Sequence, residues 1–135
     1  MNHDNTLILM NTDKSESWHD LLVWQKAHTA ALAVFNVVKG FPPEECHRLS
    51  DRLCRAALAV PTGIAEGKGR GSVAEFRQAL TAARGSVEET RYLLLLARDL
   101  GYLTTVTHAA IESAYAEISK MVTATLKSLK TSGPA

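Results

Sequence analysis

Phe76, Leu80, Ala83, Val87, Thr90, Leu94 and Ala97 follow one another at spacings that alternate between four and three residues without a break. Only a helix returns such positions to one face, because a helix repeats about every 3.6 residues whereas a strand alternates every two. Leu93, Leu96 and Leu100 widen the stripe. A helix with one broad apolar side must cover it with another element, and a small set of layered arrangements does so. The rest of the chain supplies partners of the same kind.

The helix carrying this stripe is expected to open at Ser72, where Ser72-Val73-Ala74-Glu75 has the form of a capping box, and to close at Gly101. Upstream, Val23, Ala27, Ala30, Val34 and Val37 repeat the four-three rhythm from Trp18 onward, flanked by Trp24, Ala31, Phe35 and Val38. That helix stops at Gly40, before Phe41-Pro42-Pro43. A second helix is expected to start near Pro43-Glu44-Glu45, acidic residues suiting its dipole, and to bury Leu49, Leu53, Ala56, Ala57, Val60 and Ile64. It continues through Pro61 with a bend, and Gly63, Gly67, Gly69 and Gly71 mark its end. Thr104 or Thr105 caps a fourth helix, striped by Ile111, Ala114, Ile118, Val122, Thr125 and Leu129 and ending before Ser132-Gly133-Pro134.

Short loops between helices of similar length dictate antiparallel neighbours. The expected fold is therefore all-α, an up-down-up-down four-helix bundle over residues 18–130, and a chain of 135 residues has room for one such core. Residues 1–17 are polar apart from Leu7-Ile8-Leu9-Met10 and are read as a flexible tail, with residues 131–135 as a second tail.

Several chemistries are tested and set aside. Cys46 and Cys54 lie eight residues apart, about 12 Å along one helix, too far for a disulfide. With no apolar run of membrane-spanning length and no basic leader at Met1-Asn2-His3, the expected location is the cytoplasm. A di-iron bundle needs two Glu-x-x-His pairs, and only Glu44-Glu45-Cys46-His47 supplies one. The segment from Gly63 to Ser72 fails as a phosphate loop, since three residues separate Gly63 from Gly67 and Gly69 follows Lys68. No catalytic residue, metal, cofactor or small-molecule substrate is expected.

The remaining pattern is electrostatic. Net charge is only +1, so any hold on nucleic acid must come from a local patch. Arg70, Arg77, Arg84, Arg91 and Arg98 recur every seven residues, drifting little around a helix, and with Lys68 they outnumber Glu75, Glu88 and Glu89 by six to three. Arg48, Arg52 and Arg55 make a second row. Two readings stay open. The guanidiniums pair with acids, Arg84 and Arg91 both with Glu88, or Lys68, Arg70, Arg77, Arg84 and Arg91 track RNA phosphates. Helix one also carries more apolar width than one seam needs, which points to a second subunit. Glu66 sits at the unfavourable end of its helix dipole and is expected to be structural, held by Arg70 or, second, by an arginine of the next helix.

Val60-Pro61-Thr62-Gly63-Ile64-Ala65-Glu66-Gly67-Lys68-Gly69-Arg70, together with Leu22-Val23-Trp24-Gln25-Lys26-Ala27, Phe41-Pro42 with Glu45, Arg55-Ala56-Ala57, Ala83 with Gly85-Ser86 and Glu89, and Leu100-Gly101-Tyr102-Leu103, resembles a known family. It is that of the small bundle proteins encoded in intervening sequences of bacterial 23S ribosomal RNA genes. Pro61, Ile64, Ala65, Glu66, Gly67, Gly69 and Arg70 carry its most specific motif, from which the chain departs at Gly63, usually Asn, and Ala59, often Ser. The family is similar to the accessory protein of diversity-generating retroelements, a pentameric barrel that contacts nucleic acid and a reverse transcriptase. The resemblance thus implies a non-enzymatic homo-oligomer, a pentamer, with RNA or an RNA–protein complex as partner. The alternative is a protein–protein interaction module that binds no nucleic acid.

Overall fold

The computed structural model describes residues 17–132, and their side chains as far as residue 129. The two tails expected at the chain ends lie largely outside the described residues. Four helices follow a short turn at Trp18–Asp20: α1 (Leu22–Val38), α2 (Leu49–Gly69), α3 (Val73–Asp99) and α4 (Thr105–Ser132). No strand occurs among the described residues. Each helix packs on its neighbours in the order α1, α2, α3, α4, and α4 returns to α1.

Side-chain pairs fix the directions. Arg52 near the start of α2 meets Glu89 late in α3, while Gly67 near the end of α2 lies against Phe76 and Ala79 early in α3. Arg91 of α3 reaches Glu112 early in α4, and Ser119, further along α4, reaches back to Glu88. Both pairs of helices are therefore antiparallel, and the short connection from Val38 to Leu49 turns α2 back beside α1, as an up-down-up-down bundle requires.

The stripes read from the sequence form the core. Leu53, Val60, Ile64, Leu80, Val87, Leu94, Ile118 and Val122 are completely buried, each large side chain contributing about 1.5–3 kcal/mol by leaving water. Thr90 and Thr125 sit among them because each hydroxyl donates within its own helix, to the Ser86 carbonyl at 2.8 Å and the Met121 carbonyl at 2.9 Å. Val37 and Ala114, expected inside, are half-buried, and Phe35 is exposed.

The helix ends follow the expected chemistry where local signals govern. Ser72 Oγ accepts the Glu75 backbone N–H at 3.1 Å, and Thr104 Oγ1 accepts that of Thr107 at 3.0 Å. At the end of α3, Gly101 adopts φ +84°, Tyr102 N–H donates to the Ala97 carbonyl and Gly101 N–H to that of Arg98, both at 2.9 Å. This is a Schellman closure, which needs a residue free to turn left-handed.

One boundary differs from expectation. The second helix does not begin near Pro43: a single tight turn, Pro43–Glu45, precedes Arg48 at φ −119°, ψ −106°, and α2 starts at Leu49. Cys46 consequently lies outside the helix, and both it and Cys54 are free thiols. At its other end α2 runs unbroken through Pro61, Gly63 and Gly67 to Gly69. The chain turns only at Gly71, φ +87°. At Gly67 packing overrides the propensity cost: the residue is buried against α3, and a Cβ there would collide with the Ala79 Cβ and lie 3.5 Å from Phe76 Cδ1.

Candidate nucleic-acid interface and signature motif

Four of the heptad arginines lie on α3, while Arg70 caps the end of α2, and the structure divides them. Arg91 is drawn into the protein: its Nη2 donates to Glu112 Oε2 at 2.6 Å, its Nε to the same carboxylate at 3.0 Å and its Nη1 to Glu88 at 3.3 Å. The Glu112 contact, with Glu88 behind it, favours the charged guanidinium and raises its pKa further. Arg98 pairs with Asp99 at 2.9 Å. Arg91 thus clamps α3 to α4 and is not available as an open phosphate ligand.

Arg77 and Arg84 behave differently. Neither joins an ion pair among the described residues, and the pair expected between Arg84 and Glu88 is not formed because Glu88 is taken by Arg91 and Ser119. Arg77 Nε is buried with no hydrogen-bond partner among the described residues. Lys68 lies over the Phe76 ring, 5.6 Å from its centroid. On α2 the second basic row is spent locally, Arg48 on Glu45, Arg52 on Glu89 and Arg55 on Asp51, all within 3.2 Å.

The signature motif turns out to be mostly architecture. Pro61, Ile64 and Gly67 are buried, Ala65 is half-buried, Gly69 is the last helical residue and Arg70 is the C-cap. Arg70 does not hold Glu66. Its Nη1 lies 3.7 Å from Glu75, whose carboxylate also accepts the Ser72 hydroxyl at 3.0 Å. Glu66 is exposed and joins no ion pair among the described residues. The capping box of α3 therefore outcompetes the within-helix pair. Glu66, Gly63, Gly67 and Arg70 line one wall of a groove of about 400 Å³, with Glu75, Gln78, Ala79 and Ala82 opposite.

A further cluster was not foreseen. Glu45, expected as an acid in the first turn of the second helix, is only 3% exposed. Its carboxylate accepts the Tyr102 hydroxyl at 2.8 Å and the Leu49 backbone N–H at 3.4 Å, with Arg48 Nε at 3.2 Å. The Tyr102 hydrogen bond, then that of the Leu49 N–H and the nearby charge of Arg48, holds the Glu45 carboxyl below the usual range against its burial, and the same Tyr102 bond pushes the Tyr102 hydroxyl up. The Phe41 and Tyr102 rings pack with centroids 5.4 Å apart. This cluster ties the α1–α2 and α3–α4 connections together at one end of the bundle. The signal was present as two separate stretches, Phe41-Pro42 with Glu45 and Leu100 to Leu103, but nothing in the sequence joins residues so far apart.

At the other end Trp18 stacks on His19 with centroids 3.6 Å apart and Trp24 on His28 at 5.2 Å, and the two tryptophans meet edge to face at 4.7 Å. Among the described residues no three His, Cys, Asp or Glu side chains come together as metal ligands, and no helix is long and apolar enough to cross a membrane.

Comparison with known proteins agrees with this architecture. Residues 19–124 match the model of the 23S rRNA-intervening sequence protein family. Comparison with curated proteins returned no match. Among solved structures, a protein of unknown function from the S23 ribosomal protein family of Bacteroides thetaiotaomicron superposes with a TM-score of 0.73 at 25% identity, over 78% of this chain and 99% of that one. The family match spans all but the last turns of α4, and the chain belongs to the 23S rRNA-intervening sequence protein family.

Proposed function

We propose that this protein is a non-enzymatic, homo-oligomeric scaffold of the cytoplasm, a pentamer on family resemblance, that holds RNA or an RNA–protein complex on an Arg/Lys stripe running from the end of α2 along α3. The observation that carries the scaffold reading is the apolar surface left open on α1. Leu32 is 57% and Phe35 43% exposed on its outer side. On its other flank, Leu22, Ala30 and Ala33 face Ala110, Ile111 and Ala114 of α4 across an open groove of about 540 Å³. The groove also holds the Lys26–Glu117 ion pair, so the exposed Leu32 and Phe35 carry the reading, large apolar side chains in water that favour association with another subunit. Light scattering coupled to gel filtration tests this, and a single-chain mass across micromolar concentrations refutes it.

Arg77 and Arg84, without ion pairs among the described residues, support the RNA contact, which narrows to Lys68, Arg70, Arg77 and Arg84 once Arg91 is committed to Glu112. Ion pairing of Arg70, Arg91 and Arg98 favours the alternative, a protein-interaction module. Sequencing RNA that co-purifies with the protein from its native cell separates the two: enrichment of particular transcripts supports the first, and background RNA alone supports the second.

A further inference from the structure

We propose that the RNA-contacting face is built by two helices, Arg77 and Arg84 of α3 with Lys120 and Lys127 of α4, and that it takes the phosphate backbone of structured RNA. This rests on the RNA reading above and adds half of the surface to it. The pairs Arg91–Glu112 and Ser119–Glu88 set the antiparallel register, which brings Arg84 level with the turn of α4 around Lys120 and Arg77 level with the turn around Lys127.

Lys120 and Lys127 are both exposed, and among the described residues neither joins an ion pair. The acids of this half of the seam are engaged elsewhere, Glu75 with Arg70 and Glu117 with Lys26 at 3.2 Å. In the other half, Glu88, Glu112 and Asp99 neutralise Arg91 and Arg98. The charge that the whole chain nearly cancels is therefore concentrated at one end of one face.

The form of this patch favours a polyanion over a protein partner. Two cations on each helix, seven residues apart, stand roughly 10 Å from one another along the axis, which gives two parallel rows. Between them lie Thr81 and Thr123, both exposed, and no large apolar side chain that could anchor a protein interface. Cations and hydroxyls are what a phosphate backbone needs, and they read charge and shape without base sequence.

The test is fluorescence anisotropy on the full chain with a fluorescein-labelled RNA hairpin of about 20 base pairs and a DNA hairpin of the same sequence, titrated at several salt concentrations. Each duplex phosphate contact contributes about 0.9 to the slope of log affinity against log salt. Lys120→Gln with Lys127→Gln, and separately Arg77→Gln with Arg84→Gln, should each flatten that slope by about two per engaged subunit. Arg91→Gln should leave it unchanged, with helicity of every variant checked by circular dichroism. Preference for the RNA hairpin supports the proposal, whereas equal or tighter binding of the DNA hairpin overturns its assignment to RNA. If the arginine pair weakens binding and the lysine pair does not, the RNA reading stands and the two-helix face is wrong. If the wild-type chain binds neither hairpin, the RNA reading fails and takes this proposal with it.

Discussion

Gly67 and Gly63 lie four residues apart in the same helix, yet alanine at the two positions should act in opposite directions. At Gly67 the new Cβ collides with the Cβ of Ala79, which is fixed to the α3 backbone and cannot rotate aside, so the two helices must separate locally. Overpacking of this kind costs about 1–3 kcal/mol, while replacing a helical glycine returns about 1 kcal/mol. The worse end of that range applies here, because backbone rather than a flexible side chain has to move, and the net loss should be about 1–2 kcal/mol. At Gly63 nothing lies within 4 Å of the added atom. Only the propensity gain remains, up to about 1 kcal/mol. In a domain of this size each kcal/mol moves the melting temperature by roughly 3–5 °C. Thermal and urea unfolding followed by far-UV circular dichroism should therefore rank Gly63→Ala above wild type and Gly67→Ala below it. Equal stability of the two variants, or a Gly67→Ala protein as stable as wild type, refutes the claim that Gly67 exists to admit α3.

Tyr102→Phe should lower the melting temperature at neutral pH. Because Glu45 has a depressed folded pKa, its contribution is complete above the ordinary carboxylate range and disappears as pH falls through the folded value. The gap between wild type and Tyr102→Phe should therefore close at acid pH, and a gap that stays constant contradicts the assignment. The Arg91–Glu112 pair, each side chain about a third exposed, should show a coupling of about 1 kcal/mol in a double-mutant cycle with Met and Gln, against near zero if it is only a surface contact. Tyr115 is fully buried with its hydroxyl unpartnered among the described residues, and burial pushes the phenol's pKa up. Tyr115→Phe keeps the ring and removes that cost, so it should stabilise by about 1 kcal/mol in urea unfolding, whereas a loss of stability means that the hydroxyl has a partner.

The parts legible in the sequence are those written in local periodicity and capping. The stripe from Phe76 to Ala97 needed no tertiary information, because a four-three spacing has one geometric solution. Ser72 and Gly101 act on backbone groups within a few residues of themselves. The end of α2 among its glycines was legible too, since the helix closes at Gly69, but the reason Gly67 itself stays helical is Ala79 on another helix. Tyr115 was passed over because its hydroxyl reads as polar while its ring is core. The basic row was visible as five arginines, but Arg91 leaves it through Glu112, 21 residues further on. Lys120 and Lys127 enter it only once the register of α3 against α4 is known.

The central claim, that this bundle is one subunit of an assembly built through α1, is most directly tested by sedimentation velocity on the wild-type chain and a Leu32→Glu, Phe35→Glu variant run side by side. Both residues are already exposed, so the variant should keep its helicity. The expected result is a wild-type particle several times the 14.7 kDa chain and a folded variant at the mass of one chain. A wild-type protein sedimenting as a single chain, or a variant that keeps the wild-type size, contradicts the claim.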